Sequence, residues 1–376
     1  MKVLLVSNYE NDRQESMLRF AAALADGLRS ACLEVEVARP EPFFGRLKAG
    51  ATGVGKVLGY LDKFLLFPPR LRRLAAAADL VHICDHSNAI YVKDIAARPH
   101  LVTCNDLLAV RSALGEFPQN PVRWSGRILQ SWILRGLRRA RRLTCISEAT
   151  RRDVLRLTAH RAEVASVTYM GQNFSYAPVA AVTEAAESRR RGERFEAAVL
   201  QRWGLPEEPY ILHVGGAQWY KNRPGVVAMH GALRARMGPR TPRLLLVGPP
   251  LSAPGIETRS NVESAALAAL YSGAELLLFP SLEEGFGWPI IEAQACGCRV
   301  LTTGKDPMRE VGGKAATYLT DPTNIAAGAA AIEEMLAQDE MRRLALVRSG
   351  LENAARFSTD RMIREYVAIY QEVVGA

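Results

Sequence analysis

The stretch Ser281-Leu-Glu-Glu-Gly-Phe-Gly-Trp-Pro-Ile-Ile-Glu292 decides the reading of this 376-residue chain. It sets two carboxylates, Glu284 and Glu292, eight positions apart around a Gly-Phe-Gly turn. The apolar run Glu275 to Phe279 before it is strand-like, and a helical pattern follows it. Pro289 stands where that helix should begin, because the N–H it lacks has no intrahelical partner in a first turn. Glu284 is therefore expected in a strand-to-helix loop and Glu292 about one turn into the helix. Gly285 and Gly287 allow close backbone approach, and Gly285, Phe286 and Gly287 are expected to supply backbone donors. Unpaired N–H groups at a helix start favour anions and polar oxygens. A carboxylate one turn in can accept both hydrogens of a vicinal diol. Together these features suit a nucleotide sugar, with phosphates and sugar hydroxyls at the loop and ribose at Glu292.

The segment resembles the E-x7-E motif of the retaining glycosyltransferases of family 4 (glycosyltransferase group 1), which have the GT-B fold. Ala293-Gln-Ala-Cys-Gly-Cys-Arg-Val300 is similar to the continuation of that motif, His213-Val-Gly-Gly-Ala-Gln-Trp-Tyr-Lys-Asn222 to the family's glycine-to-Lys-Asn motif, and Cys145-Ile-Ser-Glu-Ala-Thr-Arg-Arg-Asp153 to its Ser-Glu segment. They stand in the family's order across most of the chain. The resemblance implies two Rossmann-like α/β domains facing a cleft, each a doubly wound parallel sheet, with a last helix that crosses back to the first domain.

The hydrophobic periodicity agrees. Apolar runs at Val3–Val6, Leu33–Val37, Leu80–Cys84, Leu101–Cys104, Leu143–Ile146 and Val164–Val167 read as strands of parallel type, separated by helical stretches such as Glu15–Leu28, Ser125–Arg139 and Glu148–Leu157. A second alternation begins at Tyr210–Val214 and runs through Asn222–Arg236, Leu244–Val247, Ser264–Tyr271, Leu276–Phe279, Pro289–Ala295 and Arg299–Thr302. The expected organisation is a first, acceptor-side domain over 1–178, a linker carrying a helix over 179–208, a nucleotide-sugar domain over 209–356, and a final helix over 357–376.

The formal net charge of +9 is uneven. Residues 1–178 hold 26 Lys and Arg against 16 Asp and Glu, whereas residues 179–376 hold 22 against 23. Each basic run, such as Arg135, Arg138, Arg139, Arg141 and Arg142, reads first as a solvated helix face, and second as attraction to an anionic membrane or a phosphorylated acceptor. No nucleic-acid recognition motif accompanies the charge, so nucleic acid is not expected. The segment Phe43 to Leu74 mixes aromatics with Arg46, Lys48, Lys56 and Lys63. It reads as a helix packed on its domain, with a membrane-surface segment as the alternative. Six cysteines without a disulfide framework, and a short apolar start at Met1 that reads as a strand, point to a reducing, cytoplasmic setting, with peripheral attachment at the inner membrane face as an option.

The resemblance also distributes roles. Lys221 is expected to hold the donor diphosphate and stabilise charge on the leaving phosphate, with Arg223 close by as a second cation. Glu284 is expected at the donor sugar and Glu292 at the ribose hydroxyls. Gly215 and Gly216 would let the backbone approach the phosphates, and Pro249 and Pro250 would shape the base side, with Asn261 to Ser264 nearby. Glu283 reads as a solvated bystander. In the first half, the loop Asn8-Tyr-Glu-Asn-Asp-Arg-Gln-Glu-Ser16 lacks the glycine pair of many members. Asn105-Asp106 replaces their His-Asp, and Asn cannot titrate; His86 reads equally as a cleft residue or a structural one. No metal or other cofactor is expected, since the charge comes from Lys221 and helix N-termini and no Asp-x-Asp occurs. Domain closure would complete the site.

The resulting expectation is a retaining hexosyltransferase using a UDP- or GDP-linked sugar and a glycan or lipid-linked acceptor in cell-surface polysaccharide or glycolipid synthesis. The alternatives are a non-catalytic nucleotide-sugar-binding subunit and a GT-B epimerase or phosphorylase. A dinucleotide oxidoreductase is disfavoured because no Gly-x-Gly-x-x-Gly follows the first strand.

Overall fold

The computed structural model describes residues 1–12, 14–47, 53–251 and 255–375, so Arg13 of the first loop and Lys48 of the basic segment lie outside the described residues. The chain divides into two compact units, residues 1–173 with 359–376, and residues 174–358.

The first unit alternates strands and helices: β1 Lys2–Val6, α1 Glu15–Ser30, β2 Glu34–Ala38, α2 Gly53–Leu61, α3 Phe67–Ala76, β3 Leu80–Ile83, α4 Val92–Ile95, β4 His100–Cys104, α5 Leu108–Ala113, α6 Trp124–Leu137, β5 Arg142–Cys145, α7 Glu148–Thr158 and β6 Ala165–Val167. All six strands are parallel, in the order β2-β1-β3-β4-β5-β6. Strands covered on both faces read as continuous apolar runs, and β3 and β4 are buried at every position. The core joins Leu4, Val6, Val81, Ile83, Val102 and Leu143 of the sheet to Leu71, Ile133 and Leu137 of the helices. The helix α7 starts where Ser147 accepts the Thr150 N–H at 3.1 Å, a side-chain N-cap.

The second unit opens with α8 Ala180–Arg190 and α9 Ala197–Arg202, then runs β7 Tyr210–Val214, α10 Arg223–Met237, β8 Arg243–Val247, β9 Ile256–Arg259, α11 Ser264–Gly273, β10 Leu276–Phe279, α12 Trp288–Ala295, β11 Val300–Thr303, α13 Met308–Gly312, β12 Ala316–Leu319, α14 Ile325–Leu336 and α15 Glu340–Ala354. Its parallel sheet has the order β12-β11-β10-β7-β8-β9. The stretch read as a linker with one helix carries two. The first buries Val182, Ala185 and Ala186 and is clamped by the guanidiniums of Arg189 and Arg190 on Glu275, at 3.2 and 2.8 Å.

The last helix, α16 Thr359–Gly375, belongs to the first unit. It buries Met362, Tyr366, Ile369 and Tyr370. The Tyr370 hydroxyl lies 2.7 Å from Nδ1 of His82 on β3, whose Nε2 is 2.7 Å from Thr103 Oγ1 on β4. The structure therefore has two parallel α/β sheets, with the closing helix on the first.

Strand order dictates where ligands can bind. In an open parallel sheet the connections run to opposite faces where the strand order reverses, which leaves a crevice at the strands' carboxyl ends. In the first sheet that point lies between β1 and β3. In the second it lies between β7 and β10.

Candidate functional site

The loops at the carboxyl ends of β7 and β10 carry most of the candidate residues of the second unit. After β7 the backbone passes Gly215 and Gly216 into a 3-10 turn over Trp219–Lys221, then Asn222 in the left-handed region at φ 52°, then α10. After β10 it passes Pro280 and Ser281 to Gly287 at φ 107°, a conformation that suits glycine, and into α12 with its Pro in the first turn. The Lys221 ammonium donates to Glu284 Oε1 at 2.7 Å, with side chains 16% and 7% exposed. It also lies 5.2 Å from the centre of the Phe279 ring, so an aromatic face and a carboxylate hold it.

The loops are tied to one another. Asn222 occupies the N-cap position of α10 without capping through its side chain. Its Nδ2 donates instead to the carbonyls of Pro280 and Pro322, each at 3.0 Å. Leu282 N–H donates to Tyr220 O at 2.8 Å, and Thr303 Oγ1 donates to Ser281 O at 2.6 Å. Arg223, buried at the start of α10, donates to Pro249 O at 2.7 Å. Burial lowers its guanidinium pKa, and its Nε has no partner among the described residues. Beneath the loop, His213 Nδ1 donates to Leu278 O at 2.9 Å, its ring stacks on Phe279, and its buried Nε2 has no partner among the described residues. Burial depresses that imidazole to about 4, so it is neutral at pH 7.

Lys221, Glu284, Arg223 and Pro249 are thus joined in pairs through these loops, with Gly215 and Gly216 on the segment leading to Lys221. The Gly215 N–H donates to Val247 O at 3.0 Å, so that donor serves the sheet edge rather than a ligand. Phe286 is buried edge-on against Phe357, with ring centres 5.7 Å apart. Glu292 has a different partner. It is buried in α12, and its Oε2 accepts from the Tyr271 hydroxyl of α11 at 2.9 Å. Burial and the adjacent carboxylate drive the Tyr271 pKa up, which keeps it a donor. The reading of Glu283 is corrected: the residue is buried and its carboxylate pairs with the Lys305 ammonium. No local sequence pattern marks Tyr271 or Lys305 as a partner of these glutamates, and His213 stands out only as the first residue of the glycine-to-Lys-Asn motif.

Asn105 and Asp106 lie in the first unit, after β4, one strand over from the other reversal point. Asp85, buried after β3, is the centre of that cluster. It accepts from Asn8 Nδ2 at 2.5 Å and Asn105 Nδ2 at 3.1 Å, and also from Ser87 Oγ. His86 Nδ1 lies 3.0 Å from it. Burial opposes charging both groups. Their mutual attraction overcomes it, holding the Asp85 carboxyl below its usual range and raising the His86 imidazole. Asn105 Oδ1 is buried without a partner among the described residues. Asp106 Oδ1 accepts the Leu108 N–H at 2.9 Å at the start of α5. No local sequence pattern marks Asp85 as the hub; strand order is what identifies it.

Among the described residues no cluster of three or more His, Cys, Asp or Glu could hold a metal, and no helix is long and apolar enough to cross a membrane.

Residues 17–171 match the model of Glycosyltransferase Family 4, and residues 254–345 match that of Glycosyl transferases group 1. The chain is 25% identical over 338 residues to the O-antigen chain mannosyltransferase B of Escherichia coli, covering 85% of this chain and 84% of that protein. It is 31% identical over 210 residues to a D-inositol 3-phosphate glycosyltransferase of Salinispora tropica, covering 49% of this chain and 43% of that one. Among solved structures it superposes on a sucrose-phosphate synthase from Thermosynechococcus elongatus with a TM-score of 0.76 at 18% identity, covering 100% and 99% of the two chains. On the Anabaena protein HepE, solved with UDP and glucose, the TM-score is 0.67 at 16% identity, covering 98% and 99%.

Proposed function

We propose that this chain, which belongs to the group 1, family 4 glycosyltransferases of GT-B fold, moves a hexose-type sugar from a UDP- or GDP-linked donor to an acceptor hydroxyl with retention of configuration. The observation that carries the site assignment is the Lys221–Glu284 pair at the reversal point of the second sheet. It holds one group for a phosphate and one for a sugar hydroxyl in a single short contact.

Donor binding would divide that pair. The ammonium turns to the diphosphate, where it stabilises charge growing on the leaving oxygen. Glu284 is released to accept from a sugar hydroxyl, facing the positive charge that develops at the anomeric carbon. Glu292, held by Tyr271, accepts from the ribose diol. Arg223 fixes the Pro249 loop on the base side. The leaving phosphate itself takes the acceptor's proton, so no protein base is required and Asn105 is compatible with turnover. The E. coli relative's name, an O-antigen chain mannosyltransferase, supports a cell-surface glycan intermediate as acceptor.

The test is thermal stabilisation of the protein by UDP, GDP, ADP, dTDP and their sugars, beside Glu292→Ala. One nucleotide should stabilise the wild type selectively and fail with the variant. Stabilisation by none of them would refute the donor site. Selective binding followed by no transfer to any lipid-linked or free glycan acceptor would favour a catalytically silent binding subunit.

A further inference from the structure

An amphipathic helix normally turns its large apolar groups inward. The helix α6 does this with Ile133, Leu134 and Leu137, yet it also carries Trp124, Ile128 and Trp132 at intervals of four, 76%, 42% and 47% exposed. A second stripe runs through Val54, Val57, Leu61 and Leu65, which are 59%, 58%, 39% and 61% exposed. The two adjoin where Phe64 packs edge-on against Trp132, with ring centres 6.1 Å apart. Contiguous apolar surface of this kind marks an interaction site.

Both stripes are fixed from beneath. A Cβ on Gly136 would come within 2.0 Å of the Ala89 carbonyl, so α6 is seated directly on the turn after β3. Asp62, buried, accepts from the Tyr9 hydroxyl at 2.8 Å and from the Phe44 and Gly45 N–H groups at 2.9 Å, anchoring the end of α2.

A cavity of about 390 Å³ opens at the junction, with Phe64, Pro68, Ile90 and Trp132 as apolar walls and Arg135 and Arg139 on its edge. The exposed cations Arg123, Arg127, Arg135 and Arg139 follow α6, and Lys56 lies on α2. Neither helix contains an Asp or Glu. Asp94, also at the cavity, accepts from Arg72 through Oδ1 at 3.0 Å, while its buried Oδ2 has no partner among the described residues.

Exposed tryptophans among cations, with no acidic residue in either helix, complement the headgroup layer of an anionic bilayer, where an aromatic ring meets both apolar and wet surroundings. We propose that α2 and α6 form one face that docks on an anionic lipid bilayer, with the cavity taking part of one acyl chain and Arg135 and Arg139 holding that lipid's phosphate. The face lies in the first unit and does not depend on the donor chemistry assigned to the second.

The test is co-sedimentation of the full chain with vesicles of phosphatidylglycerol and phosphatidylcholine against phosphatidylcholine alone, with brominated lipids as quenchers of tryptophan fluorescence. Binding to the anionic vesicles should exceed that to neutral ones and weaken with salt. R135Q/R139Q should bind them roughly tenfold or more weakly. W124S/W132S should lose the quenching seen with wild type. No sedimentation with anionic vesicles, or equal sedimentation with both kinds, overturns the proposal. So does a wild-type dimer that W124S/W132S turns into a monomer, which would assign the face to a second copy of the chain. If the serine variant does not fold, the arginine variant and the wild-type quenching still decide.

Discussion

Removing both members of the Lys221–Glu284 pair should cost less than the sum of removing each alone. The contact is 2.7 Å and both side chains are largely shielded from water. A hydrogen bond between charged groups contributes about 1.5–3 kcal/mol, and leaving a buried charge without its partner costs about 3–5 kcal/mol. Lys221 is 16% exposed, so water offsets part of that when Glu284 is lost, and we expect Glu284→Gln to destabilise by about 1–3 kcal/mol. Lys221→Met strands the more buried carboxylate and should cost about 2–4 kcal/mol. The double variant should be less destabilised than the sum of the singles by about 1–3 kcal/mol. Urea unfolding of the four proteins measures this cycle. Transfer should behave differently under the proposed roles, which give each group its own task once the donor is bound: both singles should lose turnover, and the double should not regain it. Coupling within about 0.3 kcal/mol of zero would mean the contact does not persist in solution. Recovery of turnover in the double would refute the separate roles.

Three other outcomes are expected. Tyr271→Phe removes the donor to Glu292 and should weaken nucleotide binding about fivefold, matching about 1 kcal/mol for one hydrogen bond; titration calorimetry reads it, and unchanged affinity would detach Tyr271 from the site. Gly248, at φ 150°, has no room for a Cβ, which would lie 2.2 Å from the Gly215 carbonyl, so Gly248→Ala should cost about 2–4 kcal/mol in urea unfolding and disturb the loop before Lys221. His213 binds a proton only near pH 4 when folded but near 6.5 when unfolded, so its contribution is complete above pH 6.5 and is lost as pH falls from about 6.5 to 4. The loss approaches about 3 kcal/mol, and urea unfolding of wild type against His213→Gln at pH 7.5 and 4.5 should show it, with parallel losses in both proteins counting against a neutral buried imidazole.

The alternating runs made both parallel sheets legible, because strands buried on two faces must be apolar throughout. The strand β9 escaped notice because Ile-Glu-Thr-Arg is half-buried along its length at a sheet edge and carries no such run. The glycine turn and the two glutamates were legible as a strand-to-helix loop. Partners were not: Lys305 reaches Glu283 from 22 positions away and Tyr271 reaches Glu292 from another helix, and neither contact has a local pattern. Asp85 became a hub only once β1 and β3 were known to be neighbours, which is long-range information. The exposed tryptophans of α6 were hidden within a helical period that also describes a buried stripe.

The return of α16 to the first unit has a consequence for biosynthesis. Where the chain leaves that unit and where it comes back, Thr359 Oγ1 donates to Gln172 O at 2.7 Å, and a Cβ on Gly171 would lie 2.6 Å from the Thr359 Cα. The whole second unit is therefore an insertion within the first. A ribosome adding about 5–20 residues per second must finish residues 174–358 before the helix that covers His82 and Thr103 exists, a wait on the order of ten seconds or more. During that interval the nascent first unit is the vulnerable half, open to chaperones and proteases, although it was made first. A premature stop near residue 358 would leave the later-made unit whole and the earlier one unfinished.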